Sequence, residues 1–269
     1  MSAACNAVDV DHTSVDVETD VRSPVEPASW DSADVFTEGL AGMDPVVADR
    51  GRDVIEDVVD QLSVIPKFTD NDVKALERLV EGITDWSEQI AGETAYAIAL
   101  SLDSRNEDSN YVDRMHRLAA RYRLVGNPVD LSGPTANGSY LDSSTLRGKV
   151  VIVEFFATWC GPCRAKHRMI RSLQEEYNYH DLVVIAVSAD KAASQLDAFI
   201  DQKEDFWITR YDRSSPTQEL VERFGISEFP TTFVIGRDGN VVTTKANARL
   251  REIVKAELSK TGSSNLAAI

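Results

Sequence analysis

The chain has 269 residues, with 44 acidic against 28 basic ones and a formal net charge of −16, which excludes a protein that grips nucleic acid or an anionic membrane through a general positive surface. Hydrophobic residues make up 43%, enough for a proper core, yet no apolar run approaches the roughly 18 residues of a membrane span, so no transmembrane segment is expected. At roughly 100 to 200 residues per domain there is room for one large domain or two small ones with tails.

The acidity is concentrated at the start, where residues 1–50 carry 11 Asp or Glu and two Arg. Pro24, Pro27 and Pro45 punctuate this stretch, and it lacks sustained periodicity and has almost no large aliphatic residues beyond scattered Val. Residues 1–48 are therefore expected to be a disordered acidic leader. Met1 to Val21 offers neither the basic start nor the apolar stretch of about 7 to 15 residues that a secretory signal needs. Ser2-Ala3-Ala4-Cys5 resembles the tail of a lipoprotein cleavage site, with its apolar stretch missing. The plainer reading makes Cys5 an ordinary tail residue, and it receives no catalytic role.

Residues 49–125 read as a helical module. Val54, Ile55, Val58, Val59 and Leu62 share one helical face, and Pro66 stops the run. Thr69 followed three residues later by Asp72 resembles a capping box, after which Val73, Leu76, Leu79, Val80 and Ile83 continue at helical spacing. An Ala-rich run from Ala91 to Leu102 and a stripe of Tyr111, Met115, Leu118, Ala119 and Tyr122 complete three or four helices before Gly126 and Pro128. His116 stands alone in the module, so neither a metal cluster nor an acid–base pair can be assembled there. A packed spacer or docking platform is the expectation.

Beyond Gly126 the residues carry chemistry. Val150 to Ala157 is a β-branched and aromatic run that reads as a central strand buried on both faces. Thr158-Trp159-Cys160-Gly161-Pro162-Cys163 follows, and then a helix-forming stretch from Arg164 to Tyr177. Both cysteines thus sit where a strand hands over to a helix N-terminus. The unpaired amides there stabilise a thiolate, so Cys160 is expected to attack and Cys163 to be the buried resolving thiol. Pro162 is tolerated in the first turn, where no amide hydrogen is needed. Arg164, Lys166, His167, Arg168 and Arg171 either depress the Cys160 pKa further or line a solvated face. Zinc is the rival use of Cys160, Cys163 and His167, but there is no second C-x-x-C and no H-x₃₋₅-H to supply a fourth ligand. A peroxidatic cysteine is excluded by Val153 and Ala157, which stand where such sites want Pro and Thr or Ser.

The remaining segments alternate. Asp181 to Ser188 reads as a second buried parallel strand, Ala192 to Gln202 as a helix, Trp207 to Tyr211 as a short strand and Pro216 to Phe224 as a helix. Gly225 to Ile235 leads into a strand, Asp238-Gly239 turns into Val241-Val242-Thr243, and Arg249 to Ser259 closes with a helix.

Trp159-Cys160-Gly161-Pro162-Cys163 after a buried strand resembles the thioredoxin superfamily, and more closely its TlpA and ResA-like branch of thiol-disulfide oxidoreductases. The resemblance extends through Gly126-Asn127-Pro128-Val129-Asp130-Leu131, the Asn137-Gly138 turn, Leu146 to Val151 and Phe155 to Cys160, over about residues 126 to 260. It implies an α/β, thioredoxin-like fold, a mixed central sheet flanked by helices, over residues 126–262, with 263–269 a C-terminal tail. The stretch from Ala192 to Tyr211 resembles the insertion that sets this branch and the peroxiredoxins apart from plain thioredoxin.

Phe229-Pro230-Thr231 matches the family's cis-proline loop, which implies that these three residues, with Trp159, Gly161 and Pro162, bind substrate, Phe229 pairing strand to strand with a peptide. Glu154, an acid in an apolar strand, matches the family's buried acid, and the resemblance implies that it accepts the proton of Cys163; a surface-facing Glu is the bland alternative. The implied function is reduction of disulfides in partner proteins, with no metal or organic cofactor beyond a redox-active Cys160–Cys163 disulfide and with a thiol electron donor restoring it. Lys166 and Arg168 depart from the Glu and Pro common in the family, which puts the redox potential in doubt. The competing expectation is a partner-binding scaffold in which the helical module is the working part. Relatives of this branch work in the periplasm or at the cell envelope, whereas the missing signal points to the cytoplasm.

Overall fold

The computed structural model describes residues 43–177, 180–200, 207–211, 213 and 219–260. Cys5, most of the acidic leader and the tail at 263–269 lie outside the described residues. So do the ends of two expected helices, at 201–202 and 216–218.

The first helix, α1 (Pro45–Ser63), begins inside the expected leader, which is a correction with a local cause. The Asp44 carboxylate accepts from the amides of Val46 at 2.9 Å and Val47 at 3.4 Å, and Pro45 sits in the first turn. Proline breaks a helix interior but costs nothing where the amide has no partner to lose. The capping box that opens α2 (Asp70–Ile83) is present: Thr69 Oγ1 accepts from the Asp72 amide at 3.3 Å, and Asp72 accepts from the Thr69 amide at 2.9 Å. Two more helices follow, α3 (Glu88–Ser104) and α4 (Ser109–Tyr122). Their apolar faces meet around Val73, Val80, Ile98, Leu102, Met115 and Tyr122. Arg114 laces α4 to α2 through a two-toothed pair with Glu77, at 2.8 and 2.5 Å, and a bond to Asp70 at 2.6 Å.

The second half is built on a mixed sheet. A short hairpin, β1 (Gly133–Pro134) and β2 (Tyr140–Leu141), surrounds the Asn137-Gly138 turn. Then come β3 (Val150–Phe156), α5 (Gly161–Glu176), β4 (Leu182–Ser188), α6 (Ala193–Ile200), β5 (Ile208–Arg210), α7 (Glu219–Arg223), β6 (Thr231–Ile235), β7 (Val241–Thr243) and α8 (Leu250–Ser259). The strand order is β5-β4-β3-β6-β7, with β3, β4 and β5 parallel and β6 antiparallel to both its neighbours. Every residue of β3 and β4 is buried, as their largely apolar runs require, and Glu154 is the one charged residue carried inside. Val151, Val153 and Phe155 face one core, and Val150 and Ile152 face another beneath α5 and α8. This is the thioredoxin-like architecture that the resemblance implied.

The helical half docks on the β7 edge through polar ties. The Glu88 carboxylate, in the first turn of α3, accepts from the Thr244 amide at 2.8 Å, from the Thr244 hydroxyl at 2.5 Å and from the Thr243 hydroxyl. Buried Arg121 donates to the Thr244 carbonyl at 3.3 Å and lies 3.6 Å from the Glu228 carboxylate. Gly225, at φ +62°, completes the contact, because a Cβ there would lie 2.0 Å from the Arg117 carbonyl oxygen. Among the described residues no helix is long and apolar enough to cross a membrane.

Candidate active site

The C-terminal ends of parallel strands are where loops gather, and β3 delivers Cys160 there. Cys160 is the N-cap of α5, and its sulfur accepts from the Cys163 amide at 3.2 Å. One helical turn brings the Cα atoms of Cys160 and Cys163 to 5.4 Å, and the two sulfurs form a disulfide. Cys163 is 1% exposed and Cys160 5%. Gly161 and Pro162 stand exposed in the first turn between them.

An aromatic rim surrounds this pair. Trp159 is 67% exposed, and its ring meets Phe229 edge to face at 6.0 Å. The Phe229–Pro230 peptide is cis. Thr231 opens β6 opposite Phe155 and is fully buried, with its hydroxyl turned inward to the Glu228 carbonyl at 2.8 Å. Its side chain therefore faces the fold, while Phe229 and Pro230 are half-buried and Phe229 packs against the cluster that holds the two cysteines.

Glu154 lies fully buried in the middle of β3, which removes the surface-facing alternative. Strand register sets Ala186 of β4 on one side of it and Thr232 of β6 on the other. Ala186 packs in the same cluster as Phe156, Cys160 and Cys163. Glu154 Oε2 accepts from the Thr232 hydroxyl at 2.6 Å, and Oε1 accepts from no described residue. Burial pushes the carboxyl up to about 8, against the opposing pull of the Thr232 hydrogen bond and the Lys166 charge. At neutral pH the acid thus holds a proton in the disulfide form.

The basic residues after Cys163 divide. Arg164, Arg168 and Arg171 are exposed, whereas Lys166 is half-buried and donates to the Asn247 carbonyl at 2.7 Å. Burial lowers the Lys166 pKa and the nearby Glu154 carboxylate raises it. His167 is not on the solvated face: it is buried among the rings of Phe156, Phe199 and Trp207. Among the described residues no cluster of His, Cys, Asp or Glu could hold a metal ion.

Two residues of the site escape the sequence pattern. Asp190, fully buried just beyond β4, accepts from the Thr158 amide at 3.0 and 3.1 Å, the Thr158 hydroxyl at 2.7 Å and the Ser188 hydroxyl at 2.8 Å. It clamps the loop that carries Trp159 and Cys160. Its signal is an acid two residues past a buried strand, at the end of the sheet where the cysteines sit. Thr232 has no such signal, because its place opposite Glu154 depends on strand pairing across 78 positions of sequence.

Comparison with known proteins places these features in context. A family model described as Redoxin matches residues 124–260. The thiol-disulfide oxidoreductase ResA of Oceanobacillus iheyensis is 28% identical over 165 residues, spanning 61% of this chain and 76% of that protein. ResA of Bacillus thuringiensis is 27% identical over 123 residues, spanning 46% and 69%. A crystal structure of a thioredoxin-family thiol:disulfide interchange protein from Chlorobium tepidum is 29% identical with a TM-score of 0.42, covering 49% of this chain and 95% of that one.

Proposed function

Since the chain belongs to the redoxin family and is a thiol-disulfide oxidoreductase of the thioredoxin superfamily, we propose that it reduces disulfides in partner proteins through Cys160 and Cys163. The observation that carries this reading is the Cys160–Cys163 pair at the N-terminus of α5, beneath an exposed aromatic rim.

In the reduced enzyme the helix start favours the Cys160 thiolate, because its sulfur sits where the first amides of α5 are unpaired. That thiolate attacks one sulfur of a substrate disulfide; a mixed disulfide forms and the other substrate sulfur leaves as a thiolate. Trp159 and Phe229 supply the apolar contact for the docked chain, and the backbone at Phe229 and Pro230 pairs with it as an added strand. Gly161 and Pro162 leave the approach to Cys160 open.

Cys163 then gives its proton to the Glu154 carboxylate. Its thiolate attacks the Cys160 sulfur, the intramolecular disulfide closes, and the second substrate sulfur departs as a thiolate with the electron pair of the broken bond. In reverse, a donor thiolate opens the disulfide at Cys160 and Glu154 returns the proton to the departing Cys163. The raised pKa of Glu154 in the disulfide form supports this acid role.

The test is turnover of insulin disulfides with dithiothreitol as donor. Cys160→Ser is expected to bring the rate down to that of dithiothreitol alone, and Cys163→Ser to accumulate the mixed disulfide, seen by mass. A Cys160→Ser variant with full activity would sink the enzyme reading and leave the helical module as the working part.

A further inference from the structure

The segment that ends in Phe229 and Pro230 is held from the helical half. Phe224, Gly225 and Ile226 are buried after α7, and the chain then surfaces at Ser227 and Glu228 before the half-buried Phe229 and Pro230. The Thr231 hydroxyl donates to the Glu228 carbonyl at 2.8 Å, so whatever fixes Glu228 also fixes the two residues between them. Helix α4 meets this segment twice on one face, through Arg117 and Arg121, one helical turn apart. At Gly225 the backbones touch, since a Cβ there would lie 2.0 Å from the Arg117 carbonyl oxygen.

Arg121 supplies the second contact. Its side chain is 4% exposed, against 69% for Glu228, and the two charged groups lie 3.6 Å apart. Elsewhere the guanidinium finds little: Nη2 donates to the Thr244 carbonyl at 3.3 Å, one face lies over the Tyr122 ring, and Nε donates to no described residue. A buried cation without a counter-charge is costly, and among the described residues Glu228 is the one ion-pair partner of Arg121. The attraction draws Glu228 toward α4 and fixes the chain next to Phe229. From the other side the Asn247 side-chain amide donates to the Pro230 carbonyl at 3.4 Å. Arg121 precedes residue 124, where the redoxin match begins, so this clamp reaches the family's domain from outside it.

We propose that Arg121 is a positioning residue for substrate docking: through Glu228 it holds Phe229 and Pro230 where an incoming chain pairs with them. This rests on the reading of that segment as the strand to which a partner protein adds. The ion pair is made before substrate arrives, so the free protein presents the docking segment already in place and binding need not order it. Its loss weakens docking of a protein disulfide and leaves the thiol chemistry of Cys160 and Cys163 intact. A small disulfide, which has no chain to pair, does not sense it.

The experiment mixes the full chain, reduced, with excess insulin and follows closure of the Cys160–Cys163 disulfide in a single turnover by acid quench and mass, across insulin concentrations. Hydroxyethyl disulfide serves as the small substrate. Arg121→Met is expected to raise the insulin concentration for half-maximal rate about fivefold, the scale of one ion-pair coupling, while the limiting rate and the hydroxyethyl disulfide rate hold. Glu228→Gln is expected to give the same shift, the double variant no more than either, and Arg121→Lys a value near wild type. Equal slowing on both substrates would reduce Arg121 to a structural part and overturn the proposal. A wild-type insulin dependence in both single variants would overturn it too. If Arg121→Met does not fold, Glu228→Gln cuts the same pair from its exposed end, and a wild-type insulin dependence there removes the clamp. A wild-type chain that hydroxyethyl disulfide oxidises and insulin does not would instead strike the reading of protein disulfides as substrates, and the clamp with it.

Discussion

Glu93 in the helical half and Glu154 in the sheet half are both buried acids, 3% and 0% exposed, and burial raises the pKa of each. Their partners differ. Glu93 Oε1 accepts from the Arg123 guanidinium at 2.8 Å, and that guanidinium also lies over the Tyr96 ring. Glu154 has one hydroxyl and a lysine that bonds elsewhere. A fixed guanidinium holds a carboxylate in its charged form and turns it into a strut between α3 and the end of α4. Without one, the proton becomes the cheaper partner, and the acid is free to do acid–base work. Between these two acids burial alone does not decide which one works as an acid; the bonded cation does.

The largest effect that would test this contrast comes from Glu154→Gln. The folded pKa stands at about 8 against an ordinary 4.5. The stability contributed by the protonated acid is therefore fully present below 4.5 and lost as pH rises through about 8. The glutamine variant keeps it, so urea unfolding of the disulfide form should show a gain over wild type on the order of 5 kcal/mol at alkaline pH and almost none in acid. A pH-independent difference would mean that the carboxyl does not titrate in the fold.

Arg123→Met sharpens the same contrast from the other side. It leaves an alkyl chain over Tyr96 but removes the cation from Glu93, converting that acid into a second Glu154. Stability above neutral pH should fall by about 2 to 3 kcal/mol, with the loss shrinking in acid as Glu93 takes up a proton. Unfolding at two pH values reads both the size and the sign. A loss that is equal at both would assign the effect to packing alone.

What the sequence reveals and what it hides follow from the range of each interaction. The cysteine pair, the first-turn Pro162 and the Thr69–Asp72 capping box are local, and each is legible within six residues. Glu154 is legible as a polar residue inside an apolar run. Thr232 and Asp190 act across strand pairings and loops that no local pattern encodes. Pro45 reads as a breaker until Asp44 is seen capping α1. The hairpin of β1 and β2 shows in the sequence as a turn alone, because strands of two residues carry no periodicity.

Glu88 is the clearest case of a hidden role, and it yields the smallest of the expected effects. An acid in the first turn of a helix needs no explanation beyond the helix dipole, yet this one crosses 156 positions to hold Thr244. Thr243 and Thr244 are buried, so Glu88→Ala takes away the acceptor of two hydroxyls and an amide at a largely covered seam. A loss of about 2 kcal/mol is expected, read by urea unfolding. The cut lies at the β7 edge, two strands away from the β3 that carries Glu154 and leads to Cys160. Reduction of insulin disulfides per folded molecule should therefore stay at the wild-type rate. If it falls with stability instead, the brace at Glu88 also governs the site, and the tie from Arg121 to Glu228, the residue before Phe229, is the place where its influence would enter the substrate loop.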